Sequence, residues 1–147
     1  MNLPPNIPVG SGETILLVEA ENLTRLVTTR VLTNLGYSVV DAGTVLEGFE
    51  QWQAHEQAVR LVVTDYHFKG PLTGMDLRLK VRARNGKLPV LLLIGSWWEA
   101  PTRETFVAAS VPLLTKPYTL AQMAIMVRTL MDDGGSGSEQ RRIDDRG

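Results

Sequence analysis

The sequence predicts a doubly wound α/β fold, a parallel sheet with helices on both faces, and two observations carry that reading. Five short apolar runs, Thr14–Val18, Tyr37–Asp41, Leu61–Thr64, Pro89–Ile94 and Val111–Thr115, alternate with longer stretches of helical character. The runs are apolar almost throughout, which is how strands buried on both faces read, and their alternation with helices makes the sheet parallel. Five strand–helix units follow.

Taken in order, the first run leads into Leu23, Leu26, Val27, Val31 and Leu35, which fall on one helical stripe closed by Gly36 as a C-terminal cap. The stretch Met75–Ala83 resists its place, because Met75, Leu77, Leu79, Val81 and Ala83 alternate with polar residues at the period of a strand. A parallel sheet nevertheless needs a crossover between the third and fourth runs, so the segment is assigned as a helix. Near the end, Leu120, Met123, Ala124, Val127 and Leu130 form a second stripe, with Thr119 placed as its N-cap.

The two ends have a different composition. Residues 1–12 carry three Pro and two Gly, and residues 132–147 contain GGSGS followed by mixed charges. Neither can bury enough apolar surface to offset its ordering entropy, so both are expected to be flexible linkers around a single domain at 13–131. Gly10-Ser11-Gly12 resembles a dinucleotide loop but precedes the first strand and lacks the third Gly, so it reads as linker.

Composition excludes several chemistries. The 147 residues include no Cys, so there is no disulfide framework, thiolate metal site or Cys nucleophile. The net charge of -1 lacks the basic excess of a nucleic-acid binder. Arg78, Lys80, Arg82, Arg84 and Lys87 would spread over more than one helical face and read as a solvated surface. The longest apolar stretch, Leu88–Trp98, is short of the about 20 residues of a membrane helix, and the start has no signal-peptide pattern. The expectation is a cytoplasmic domain that contacts neither membrane nor nucleic acid.

In an open parallel sheet, ligands sit outside the carboxyl ends of the strands. The residues there are Glu19, Ala20 and Glu21 after the first strand, Asp65 after the third, Gly95 and Ser96 after the fourth, and Lys116 with Pro117 after the fifth. Carboxylates and an ammonium converging at one edge could hold a hard divalent cation and a phosphoryl group. His55 and His67 have no second histidine at ligand spacing and read as loop or surface residues.

Four segments, GETILLVEAEN, LVVTDYHFKGPLTGMDL, LPVLLLIGS and LLTKPYTLAQM, occur in that order. Through them the chain, over about Glu13 to Met131, resembles the receiver domain of two-component response regulators, especially the receivers of hybrid sensor histidine kinases. The resemblance implies a flavodoxin-like sheet of strand order 2-1-3-4-5 and a signalling module without enzymatic turnover. It implies that Asp65 accepts a phosphoryl group from a kinase phosphohistidine, that Lys116 pairs with the phosphoryl oxygens, and that Pro117 follows a cis bond. It also implies a Mg²⁺ site made by Glu19, Asp65 and the backbone carbonyl of His67, with Glu21 as an additional candidate. An aspartyl-phosphate hydrolase is set aside, because His67 stands where its general acid belongs.

Three positions depart from the family pattern. Ala20 replaces the second acid, Ile94 the hydroxyl that bonds the phosphoryl group, and Leu113 the aromatic switch residue. These departures imply weak or absent Mg²⁺ binding and weakened switching, and they keep open a pseudo-receiver that acts as an interaction module without phosphorylation. The expected partner is a histidine kinase or phosphotransfer domain, and a homodimer is also open to the chain. The adjacent Trp97 and Trp98, in the loop after the fourth strand, are a candidate interface.

Overall fold

A computed structural model describes residues 3–95 and 100–136. The elements are β1 (Thr14–Val18), α1 (Asn22–Asn34), β2 (Ser38–Ala42), α2 (Val45–Ala54), β3 (Val59–Asp65), α3 (Gly74–Arg84), β4 (Val90–Gly95), α4 (Ala100–Ala108), β5 (Leu113–Lys116) and α5 (Leu120–Ser136). All strand pairs are parallel, and the order is β2-β1-β3-β4-β5. The five predicted strands are all present, the first with its predicted bounds and the others with ends shifted by one or two residues.

Side chains alternate across each strand, and this sorts the core into two layers. Ile15 and Leu17 of β1, Leu61 and Val63 of β3, and Leu91 and Leu93 of β4 pack with Leu32 of α1 and with Met123, Ala124 and Val127 of α5. The intervening Leu16, Val18, Val62, Val90 and Leu92 pack with Val45 and Trp52 of α2 and with Leu77 and Val81 of α3. Continuing the first phase to the strand ends puts Glu19, Asp65 and Lys116 on the α1/α5 side.

The troublesome segment is a helix. Thr73 accepts hydrogen bonds from the amides of Met75 and Asp76, and the Asp76 carboxylate accepts one from the Thr73 amide, a reciprocal capping box. Only Leu77 and Val81, four residues apart, are fully buried, whereas Leu79 is 60% exposed. The strand-like alternation was produced by this surface leucine.

Gly36 closes α1 as expected. Its amide donates to Thr33 O and the Tyr37 amide to Leu32 O, with Gly36 at φ +103°. Residues of the segment before β1 make contacts here. The Gly10 amide donates to Leu35 O and the Gly12 amide to Gly36 O, both at 2.7 Å. Gly10 lies on the Tyr37 ring, where a Cβ would come within 2.4 Å. Leu3 and Ile7 pack against the first core layer, so apolar contacts and backbone bonds hold a sequence whose composition suggested neither. At the other end α5 continues beyond the expected boundary to Ser136, and Arg128 bonds both Glu13 and Asp132.

Candidate functional site

The three predicted charged residues meet at the carboxyl edge of the sheet. Val18 is in register with Thr64, so Glu19 and Asp65 emerge side by side from β1 and β3. Lys116 is reached from β5, two strands from Asp65 in the sheet. Its Nζ donates to Glu19 Oε1 at 3.0 Å and lies 2.8 Å from Asp65 Oδ1. Glu19 and Asp65 are 3% and 7% exposed, so two carboxyls share one ammonium in a largely water-free setting.

The loops that carry these residues are held by their own backbones. Arg25 on α1 donates to Glu19 O at 2.7 Å and contacts Asp41 at the end of β2, which fixes the turn from β1 into α1. The Glu21 amide donates to Glu19 Oε2, and the Ala20 amide to Asp65 Oδ2 at 3.4 Å. Gly74 at the start of α3 donates to Tyr66 O, closing the β3–α3 loop against the end of β3. The Lys116–Pro117 bond is cis.

Burial pushes the Asp65 carboxyl up, the Glu19 carboxylate beside it adds to that, and Lys116 pulls it back, leaving it raised to about 7. Burial also opposes the charge on Glu19, but bonds from Asp65, the Glu21 amide and Lys116 outweigh it and hold Glu19 below its ordinary value. Lys116 is likewise penalised by burial, and the two carboxyls overcome this and raise it. Of the two carboxyls, Asp65 is therefore the one pushed toward its protonated form.

Asp65 Oδ1 is buried and faces Lys116 Nζ as a close ion pair. Mg²⁺ is held through one or two carboxylates with several waters, so Glu19 and Asp65 fit it, minus the donor that Ala20 does not provide. Glu21 is not drawn in: it is exposed, stands just before α1 and accepts from the Thr24 hydroxyl. Among the described residues no group of three or more His, Asp or Glu side chains is placed to hold a metal ion.

The remaining predicted positions lie as follows. Ile94 is buried at the end of β4, in register with Thr115, and Leu113 is half-buried against the α2/α3 layer. His67 is exposed, its ring edge-on to Tyr66. Ser96, Trp97 and Trp98 lie outside the described residues. Sequence reasoning did not find Arg25, Gly74 or Tyr118, and no spacing signal marks them. Tyr118 lines a groove with Thr28 and Lys116.

Strand order, the buried acidic pair and its lysine point to a class of signalling domains, and the sequence comparison agrees. The response regulator receiver domain family matches residues 15–128. The chain belongs to that family, a signalling domain of two-component systems. It is 28% identical to the sensor kinase CckA of Brucella abortus over 84% of this chain and 13% of that protein. It is 32% identical to the response regulator RppA of Synechocystis over 79% of this chain and 49% of that one. The chain therefore spans half or less of these relatives. A receiver protein from Sinorhizobium medicae superposes with a TM-score of 0.74 at 25% identity, covering 84% and 97% of the two chains. Among the described residues no helix is long and apolar enough to cross a membrane.

Proposed function

We propose that Asp65 accepts a phosphoryl group from the phosphohistidine of a kinase or phosphotransfer domain. The observation that carries this is the buried Asp65 at the strand edge, its Oδ1 2.8 Å from Lys116 Nζ. A deprotonated Asp65 oxygen forms the new bond to phosphorus as the bond to the donor's imidazole nitrogen breaks, and that nitrogen leaves with the bonding pair. Lys116, already charged and held by Glu19, neutralises the phosphoryl oxygens. Glu19, Asp65 and the His67 carbonyl would hold Mg²⁺, which when bound supplies charge neutralisation at the phosphoryl group. With Ala20 in place of a further donor, that site is weak. The domain transfers one group per cycle and has no turnover chemistry of its own.

The donor domain is expected to dock on α1. Leu23, Leu26 and Val27 are 69%, 51% and 53% exposed on the helix that follows Glu19. A cavity of about 230 Å³ between α1 and α5, lined by Val27, Val31, Tyr118 and Met123, continues that apolar surface. An apolar stripe next to the acceptor is suited to a helical partner.

A second reading is favoured by Ala20 and by Lys116 already bridging both carboxyls: a pseudo-receiver that binds its partner without phosphorylation. Incubation with acetyl phosphate or a phosphorylated kinase domain and Mg²⁺, followed by intact mass, separates the two. Gain of one phosphoryl group, lost in Asp65→Asn, supports the first reading, and its absence with both donors supports the second.

A further inference from the structure

Beside the acidic pair, and separate from it, a cavity of about 500 Å³ opens between the β1–α1, β2–α2 and β3–α3 loops. Its size is within the range of small-molecule sites, about 300–1,000 Å³. Ala20 lines its inner side, with Val45 and Leu46 from the start of α2 and Phe68 and Leu72 from the β3–α3 loop. Phe68 and Leu72 rest on the α2/α3 core layer, so these walls are backed by packed side chains. Leu46, by contrast, is 60% exposed and unsatisfied as an apolar group.

The lining contains no carboxylate, and its one charged residue is Lys69. Lys69 is exposed and has no ion-pair partner among the described residues. Apolar walls with a single cation complement a molecule with a flat apolar body and one anionic group. A ligand with several charges, or one polar throughout, would lose its hydration against the walls without compensation.

We propose that this cavity is a binding site for a small amphipathic anion of the aromatic carboxylate or sulfonate class. The body lies between Leu46, Phe68 and Leu72 with one edge on Ala20, and the anionic group is paired with Lys69. Because the Ala20 amide donates to Asp65 Oδ2, the occupant touches a residue bonded to the Asp65 carboxyl.

Anilinonaphthalene sulfonate, an apolar ring system with one sulfonate, is the probe. It should bind saturably at one site and shift amide signals at residues 20, 43–46 and 68–72. Lys69→Glu should weaken binding about tenfold, equivalent to about 1.4 kcal/mol, while leaving the exposed fold intact. Ala20→Asp should weaken it also, by placing a carboxylate against the apolar body. The proposal is overturned if Lys69→Glu binds as tightly as the wild type, or if the shifts fall on the α1/α5 groove or nowhere in particular. No phosphoryl donor is present, so the outcome is independent of what Asp65 accepts.

Discussion

Gly74 and Asp65 touch backbone to backbone: a methyl group on Gly74 would lie 2.1 Å from the Asp65 carbonyl oxygen. The first turn of α3 is thereby pressed against the end of β3, and the Asp65 backbone has no room to move toward it. Gly74→Ala must push the two apart, at a cost of about 1–3 kcal/mol by overpacking. A drop in the urea midpoint accompanied by slower acetyl-phosphate labelling is the expected result, and unchanged stability would mean that α3 shifts freely.

Protonation of Asp65 should be visible as a pH-dependent stability. The folded chain keeps this proton up to about pH 7, against an ordinary value of 3.8. Between the two the folded state binds more protons, so stability falls as pH rises through that window. Glu19, held low, adds stability above its ordinary value and loses it as pH falls through its folded value; Lys116, held high, loses its contribution only when pH rises above the ordinary lysine range. Metal-free wild type should therefore lose melting temperature relative to Asp65→Asn between about pH 5 and about pH 7. Parallel curves for the two proteins would refute the assignment.

Ala20→Asp should tighten Mg²⁺ by about tenfold or more, since it adds a carboxylate to a site that has two. Isothermal titration of the two proteins checks this, and equal dissociation constants would show that position 20 does not reach the metal.

The α1 stripe can be tested without disturbing the core, because its apolar residues are exposed. Leu23→Glu combined with Leu26→Glu should slow phosphoryl transfer from a kinase domain by about tenfold and leave labelling by acetyl phosphate unaltered. Equal loss with both donors would point to damage at the acidic pair instead.

Ile94 cannot hydrogen-bond a phosphoryl oxygen, and without differential contacts phosphorylation shifts no conformational population. Amide spectra of the phosphorylated and free chain should therefore coincide across β5 and α5. Ile94→Thr with Leu113→Tyr should restore shifts there, and large shifts in the wild type would contradict the expectation.

Much of this site was legible in the sequence because strand phase is local. Ile15, Leu17 and Glu19 share one face of β1, as Leu61, Val63 and Asp65 share one face of β3, so the two carboxyls were bound to converge once the strands were parallel. The state of Asp65 was not legible, because it depends on burial and on Lys116 reaching across from β5. Neither was the docking of residues 3–12. Proline and glycine there suggested entropy without contacts, whereas Gly10 is needed for its close approach to the Tyr37 ring. The alternation at 75–83 misled for the opposite reason: period reports exposure only when every apolar residue is buried, and Leu79 is not.

Arg128 holds Glu13 with one nitrogen at 2.9 Å and Asp132 with another at 2.9 Å. The strand that starts the sheet and the helix that finishes it are thus pinned at the same corner. A polypeptide running into this unit and out again would do so through adjacent points, like the two leads of a plug. Such a module can be spliced between neighbours without prising them apart, and a short peptide bridging 13 and 132 would let the chain be cut elsewhere and rejoined with its sheet order intact.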